Sequence, residues 1–497
     1  MEHFDVLIVG AGISGVGAAW HLKDRCPGRT FAIFEARHTL GGTWDLFRYP
    51  GVRSDSDMFT LGFSFRPWTE AKAIADGPAI LKYLTETAHS SGVDRHIRYG
   101  RKVTAASWDS QAARWTVTVE RGEEPVEYVT CNFLHMCAGY YNYAGGYRPT
   151  FPGEEAFVGR IVHPQFWPAD LDYKNKRVVV IGSGATAVTL VPEMAKDAAH
   201  VTMLQRSPTY VVSRPAEDAF ANTLRKRLPA RLAYAIVRWR NVLMQLWFYR
   251  LTRRQPEKVR AAIIDMAKAA LGPDYDVATH FTPRYNPWDQ RLCLVPDADL
   301  FESIKDGAAS VVTDTIDAFT PGGIRLKSGQ ELAADVIVTA TGLDLQLMGG
   351  LEVTVDGARV DLPSCFSYKG MMYSGVPNLA SSFGYTNASW TLKADLTAEY
   401  LCRLMNHMER HGYVECRPVN DDPDLEPEPW LSFSSGYVQR ALTRLPKQGT
   451  KIPWRVHQNY ALDVMAFRFG RLEDGVMRFS RPKPATEISA VPQLAAA

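Results

Sequence analysis

The sequence predicts an α/β protein made of two parallel-sheet units. Three observations predict it. Two short apolar runs, FDVLIV at 4–9 and RVVVI at 177–181, are each followed at once by a glycine-rich hexapeptide, GAGISG and GSGATA. Each hexapeptide opens into a segment of small, helix-compatible residues. A chain of 497 residues is also too long for one ordinary core.

The first run is short, apolar and rich in β-branched residues, as a strand buried on both faces must be. In the turn after it, Gly10 permits the tight bend, Gly12 lets backbone approach a pyrophosphate, and Gly15 lets helix and strand pack closely. The N-terminus of the helix attracts phosphate. The next strand, TFAIFEA, ends at Glu35, whose carboxylate accepts hydrogen bonds from ribose hydroxyls in such a unit. The stretch GGTWDLFRYPGVRSDSD at 41–57 follows. It is too long for an ordinary connection, and it mixes Trp44, Arg48, Arg53, Asp55 and Asp57, which marks it as a functional loop.

The second glycine loop repeats the pattern with Gly182, Gly184 and Ala187. Its following strand, HVTMLQRS, ends on Gln205, Arg206 and Ser207 where an acid would meet a ribose 2′-hydroxyl. Arginine there suits a 2′-phosphate. An acid in the first unit and an arginine in the second predict FAD in the first and NADPH, not NADH, in the second, which is an oxidoreductase architecture. Two further strands, FLHMCAGYY and ADVIVTATGL, end at Ala138-Gly139 and Thr341-Gly342 and read as crossings between the units. The fold class is therefore α/β, with two Rossmann-like dinucleotide-binding domains, the NADPH domain inserted in the FAD domain.

Composition sets limits on function. The formal net charge is +2, and no basic stripe with interleaved aromatics appears, so no nucleic-acid partner is expected. The seven cysteines are odd in number and form no CxxC, which predicts a reducing compartment and free thiols. The N-terminus lacks the basic region of a signal peptide, and no apolar run reaches span length; a cytoplasmic protein is expected. Residues 217–275 break the alternating pattern with LPARLAYAIVRWRNVLMQLWFYRLTRR, rich in Trp, Leu and Arg at helical spacing. Two readings stand for it, an oligomer or packing contact and a peripheral membrane contact. His407 and His411 lie four apart in HMERH without further ligands, so no metal is expected.

The segment FVGRIVHPQFWP between the two loops carries Phe157, Gly159, His163, Trp167 and Pro168 at fixed spacing, with no helical or strand period to explain them. This pattern resembles the signature of Baeyer–Villiger monooxygenases. GGTWDLFRYPG, GSGATAVTLVP, HVTMLQRSPTY, YNPWDQRLCLVP and GYTNASWTLKADL resemble the mycobacterial ethionamide-activating subgroup, and the resemblance covers nearly the whole chain. It implies an FAD- and NADPH-dependent enzyme with O2 as co-substrate, in which a flavin C4a-peroxide attacks a ketone to give an ester or lactone, with side activity on sulfides and thioamides.

The resemblance implies Arg291, in WDQRL, as the catalytic cation and Asp55 as the residue that orients it. It implies FAD contacts at Ser14, Glu35, Thr43, Trp44, Asp45, Leu46, Asp55 and the backbone of Val103, beside the glycine loop. NADPH contacts are implied at Arg53, Ser54 and Asp55, at Gly182, Ser183, Gly184, Ala185, Thr186, Ala187 and Val188, and at Arg206 and Ser207. His163 is expected to hold the two domains in register, not to transfer a proton. Gln290 departs from the family, where a lysine often precedes the arginine and helps bind the 2′-phosphate, so that load falls on Arg206 and Ser207. The resemblance also places a small helical subdomain at 214–276. The FAD domain is then expected at 1–145 and 339–480, the linker and NADPH domain at 146–213 and 277–338, and a disordered tail at 481–497. Two alternatives remain at this level: a flavin monooxygenase confined to nitrogen and sulfur, and a non-catalytic redox-sensing flavoprotein.

Overall fold

The computed structural model describes residues 1–483, so the tail expectation from 484 onward falls outside the described residues. The first apolar run forms the strand Glu2–Val9, which pairs in parallel with Phe31–Phe34 on one side and Glu124–Met136 on the other. Six further strands extend these three to a nine-stranded sheet. The helix Ile13–Arg25 joins the first two strands, and its buried Val16, Ala19 and Leu22 face the sheet. The helix Trp390–His411 packs beside it, from a segment nearly four hundred residues later.

The second sheet has five strands in the order Ala309–Thr313, His200–Gln205, Arg177–Ile181, Val336–Thr339 and Arg160–Val162. Every pair in it is parallel. Separate apolar clusters cover its two faces, which is why RVVVI is apolar throughout rather than alternating. The edge strand Arg160–Val162 lies inside the segment between the glycine loops and pairs with Val336–Val338, which the sequence did not show. Three residues are too few for a strand period to show.

The two crossings lie side by side. Tyr141 forms an antiparallel bridge with Leu345, the Asn142 N–H donates to the Asp344 carbonyl at 2.9 Å, and the Gln346 N–H donates to the Tyr140 carbonyl at 3.0 Å. The second unit is thus inserted through a double-stranded neck.

Helices Ala219–Arg225, Ala230–Arg254 and Pro256–Leu271 fill the segment that broke the alternating pattern, and the short helix Val277–His280 follows it. Asp218 and Asp276 cap two of them by accepting from backbone N–H groups, and Pro256 opens a third. The long helix clamps the first unit. Its buried Arg238 donates to the carbonyls of Phe59 at 2.8 Å and Gly62 at 2.7 Å, and Asn241 donates to Asp57 at 2.9 Å. The loop that carries Asp55 is held from outside by this helix.

The helix Trp390–His411 carries a buried ion pair. Lys393 donates to Asp463 at 2.7 Å, and Asp463 also accepts from Tyr385 at 2.6 Å. Side-chain exposure is 3% at Lys393 and 2% at Asp463. Removing one partner leaves the other charge buried and uncompensated, so Lys393→Met is expected to destabilise the fold by about 3–5 kcal/mol. The Lys393→Met/Asp463→Leu double variant is expected to recover part of that loss. Urea unfolding of the three proteins checks this, and a double variant no better than the single one would contradict it.

Candidate functional site

One cavity of about 1300 Å³ runs between the two units, and residues from both glycine loops line it. At its first end Gly10 sits at φ +105°, and a Cβ there would lie 2.6 Å from the Cys137 carbonyl oxygen. A Cβ on Gly15 would lie 1.9 Å from the Gly10 carbonyl oxygen, so helix and strand pack backbone to backbone. Gly12 caps the helix and lines the cavity. Glu35 stands just past its strand; one carboxylate oxygen accepts from the Ala11 N–H at 2.7 Å and the other from the Arg37 N–H at 2.9 Å. These bonds hold the carboxylate against the glycine turn, and it lines the cavity.

Residues Arg101 to Thr104 form the adjoining wall, where the register of Lys102–Asp109 against Arg114–Arg121 shifts between Val103 and Ala105. Such a bulge turns backbone out of the ladder, here at Val103 and Thr104.

The loop after the second strand divides. Thr43, Trp44, Arg53, Ser54 and Asp55 line the cavity, whereas Asp45 and Leu46 do not. Asp45 is buried between Arg37 and Arg48, at 2.5 Å from each, and Leu46 packs on the second unit's core. Arg53 is held by Asp299, and the buried Ser54 accepts from the Ser56 N–H at 3.0 Å. Ser14 accepts from Trp390 Nε1 at 2.7 Å, tying the first glycine loop to the late helix.

At the second end Gly182 has φ +138° and Gly184 caps the helix Ala185–Met194. Gly182, Ser183, Gly184, Ala185 and Thr186 line the cavity, while Ala187 and Val188 point into the core. A Cβ on Gly184 would meet no protein atom within 4 Å. Its bareness is therefore not demanded by the protein's own packing; it leaves room for a ligand's approach, as a pyrophosphate on this loop requires. Gln205 is buried, donating to the His280 carbonyl at 2.8 Å and to Thr313 at 2.9 Å. Arg206 and Ser207 are exposed at the cavity rim, and Arg206 makes no ion pair with another described residue. An uncommitted guanidinium at the end of this strand fits a 2′-phosphate.

Arg291 and Asp55 meet in the wall between the two ends. Arg291 Nε lies 2.8 Å from Asp55 Oδ2, and Nη2 donates to Oδ1 at 3.1 Å, a two-point pair that leaves Nη1 outside it. The side chains are 34% and 28% exposed, which the cavity accounts for. The Asp55 charge raises the Arg291 pKa above its already high ordinary value, against the opposing effect of burial. The guanidinium is a permanent cation. Its loop is held by the Ser434 N–H, which donates to the Asp289 carbonyl at 2.9 Å, and by the ion pair between Arg253 and Asp289.

Residues that the sequence alone did not single out complete this wall. Tyr140 and Tyr141 share a hydrogen bond at 3.0 Å, and the Tyr140 ring stacks on Trp390 at 5.0 Å. Burial raises the Tyr141 pKa well above the ordinary phenol value and pushes Tyr437 up to about 12, so both hydroxyls stay protonated. Tyr140 and Tyr141 directly follow the Ala138-Gly139 crossing, which was a usable signal. Tyr437 comes from a distant segment with no pattern. Cys293, also in the wall, is a thiol that burial pushes up to about 12, unsuited to nucleophilic work.

The signature residues lie beside the cavity, not in its wall. Phe157 packs edge-on to Phe319, and a Cβ on Gly159 would lie 2.3 Å from the Asp335 carbonyl oxygen. Burial, with Arg148 adding, lowers the His163 pKa. His163 Nδ1 accepts from the Gln165 N–H at 3.2 Å, and Gln165 Nε2 donates to the Asn142 carbonyl in the neck at 2.7 Å. Trp167 packs on the second core, and the Pro168 carbonyl accepts from the Leu171 N–H. The His407 and His411 rings meet at a tilt, 4.2 Å apart, with His407 bonded to Glu473; no metal-binding cluster occurs among the described residues.

Known proteins share this architecture. A flavin-binding monooxygenase-like family profile matches residues 63–255, and an NAD(P)-binding Rossmann-like domain profile matches residues 8–76. The "FAD-containing monooxygenase EthA" of Mycobacterium tuberculosis H37Rv is 56% identical over 485 residues, 97% of this chain and 99% of that one. The "Probable FAD-binding monooxygenase AlmA" of Acinetobacter baylyi is 48% identical over 495 residues, 99% of both chains. An oxidized steroid monooxygenase bound to NADP superposes with a TM-score of 0.77 at 23% identity, covering 96% of this chain and 100% of that one. A caprolactone-bound cyclohexanone monooxygenase superposes with a TM-score of 0.74 at 19% identity, covering 97% and 100%. At these identities the two structures speak to the fold alone.

Proposed function

The chain belongs to the family of FAD-containing monooxygenases, and from that premise we propose that it is a Baeyer–Villiger enzyme, using NADPH and O2 to convert a ketone into an ester or lactone. The observation that carries this reading is the Arg291–Asp55 pair, set in the wall of the cavity that both glycine loops line.

FAD would be held by Gly10, Gly12, Ser14, Gly15, Glu35, Thr43, Trp44, Asp55 and the backbone at Val103, with Asp45 and Leu46 shaping the loop from behind. NADPH would be held by Arg53, Ser54, the loop from Gly182, Arg206 and Ser207. When bound, the reduced flavin supplies the activation of O2. The protein's own contribution is charge and dryness. Arg291 presents a fixed cation where negative charge develops on oxygen, and Asp55 holds it in one orientation without titrating it. Tyr140, Tyr141 and Tyr437 line the same wall with rings that exclude water, and the Tyr141 and Tyr437 hydroxyls remain donors. No side chain is needed as a nucleophile, consistent with the unreactive Cys293. Sulfides and thioamides, which need no such anion, are the expected side substrates.

Product analysis with a panel of linear, cyclic and aryl ketones tests this. Ester formed with NADPH oxidation supports the reading. Sulfoxide without ester would replace it with a heteroatom-only monooxygenase, and NADPH oxidation insensitive to every substrate would refute catalysis. For the cofactor, Arg206→Ala is expected to raise KM for NADPH by about 10–100-fold, the weight of charge-assisted bonds to a phosphate, while KM for NADH changes little. Equal effects on both nucleotides would remove the 2′-phosphate role.

A further inference from the structure

The helix Ala230–Arg254 has two faces of different chemistry. Its inner face clamps the Asp55 loop, with Asn241 and Gln245 bonded to Asp57. On its outer face Leu232, Ile236, Trp239, Leu243 and Trp247 recur at spacings of three and four, so they stand on one stripe. All five are exposed, Trp247 at 64% and Leu243 at 57%. Leu462 and Met465 on the helix Tyr460–Arg468, with Phe469 just past its end at 70%, form a second exposed apolar stretch. The Trp239 ring lies 5.6 Å from that of Tyr460, so the two adjoin. A soluble surface rarely gathers so many large apolar side chains without a partner.

Charge says which partner. The helix contains no Asp or Glu. Exposed Arg227 and Arg231 lie at one end of the stripe, Arg250 and Arg254 at the other, and none of the four forms an ion pair with another described residue. A second copy docked stripe to stripe would bring arginines against arginines in either direction, with nothing acidic on the helix to separate them. An anionic bilayer answers both features. Trp and Leu side chains sink to the level of the acyl boundary, and guanidinium groups meet lipid phosphates.

We propose that this two-helix face is a membrane-docking surface that lies on anionic lipid. No helix among the described residues is long and apolar enough to cross a membrane, so the contact is a face laid on the surface. Because the same helix braces the Asp55 loop, docking sets the cavity one helix away from the lipid. The inference stands on exposure and charge and does not depend on which oxygenation the cavity carries out.

Sedimentation of the full-length, FAD-loaded protein with vesicles tests it. Binding is expected to phosphatidylglycerol-containing vesicles, weakened by high salt, and to be much weaker with pure phosphatidylcholine. Leu243→Ser and Trp247→Ser are each expected to lower the partition by about tenfold, the value of one large apolar side chain removed from water. Their NADPH oxidation in solution should be unchanged. Arg250→Gln/Arg254→Gln is expected to reduce binding to the anionic vesicles alone. Absence of sedimentation with anionic vesicles overturns the proposal. So does a wild-type dimer that the Leu243→Ser/Trp247→Ser variant converts to monomer.

Discussion

Arg291→Ala is expected to abolish ester formation while leaving FAD bound and NADPH oxidation running. The reason lies in what the side chain touches. Its Nε and Nη2 are committed to Asp55, and its remaining charge faces the cavity beside the rings of Tyr140, Tyr141 and Tyr437. Preorganised charge in such a site is worth far more than in bulk solvent; loss of a single oxyanion-stabilising donor typically costs about 10²–10³-fold in rate. A full cation placed at the reacting centre belongs at or beyond the upper end of that range. The two glycine loops and Arg206, which would hold the nucleotides, are untouched by the change, so flavin reduction in the absence of O2 should proceed and NADPH should be oxidised without product. Arg291→Lys should not rescue, because a single ammonium cannot reproduce the two-point contact with Asp55. Asp55→Asn should fall between, since the cation remains but its orientation is no longer held. Ester formation by Arg291→Ala at an undiminished rate would leave the proposed role without support.

How much of this was legible beforehand differs element by element, for physical reasons. Strand, glycine turn and helix could be read at both units because each is a local event: a buried strand needs a short apolar run, and the turn needs glycine where a Cβ would strike backbone. Val178 to Ile181 and Val6 to Val9 lie where the apolar runs put them. The placement of Arg206 at the end of its strand followed from the same locality. The edge strand Arg160–Val162 was not legible, because three residues carry no period and its pairing partner lies some 170 positions away. The aromatic wall was missed for a similar reason. Tyr140, Trp390 and Tyr437 converge only after the chain has crossed between units twice, and nothing in their own neighbourhoods states which rings will meet. Asp45 shows the limit of carrying a motif over whole. It belongs to the loop, yet it is buried between Arg37 and Arg48 and shapes the turn instead of facing the cavity.

The two helix-facing glycines separate what the protein needs from what its ligand needs. Gly15→Ala is expected to fail as a holoprotein. Its Cβ would lie 1.9 Å from the Gly10 carbonyl oxygen, a backbone atom that no side-chain rotation can move aside. The helix must back away from the strand, at an overpacking cost of about 1–3 kcal/mol or more, and the FAD turn opens with it. Gly184→Ala is expected to fold. Its backbone, at φ −80° and ψ −175°, is open to any residue, and the new Cβ would meet no protein atom within 4 Å. Stability should fall by no more than about 1 kcal/mol, the cost of alanine at a helix cap. FAD should remain bound, as the yellow absorbance of the purified protein would report. NADPH should not fare so well: the methyl group would occupy the space through which the pyrophosphate reaches backbone, and a displacement of about 1 Å there can cost on the order of 10²-fold in rate. Thermal unfolding, flavin content and NADPH-driven flavin reduction, measured on both variants, distinguish the cases. A Gly184→Ala protein that retains FAD and is reduced by NADPH as fast as the wild type would show that the second glycine loop does not carry the nucleotide, and the assignment of donor and acceptor sites to the two ends of the cavity would fall with it.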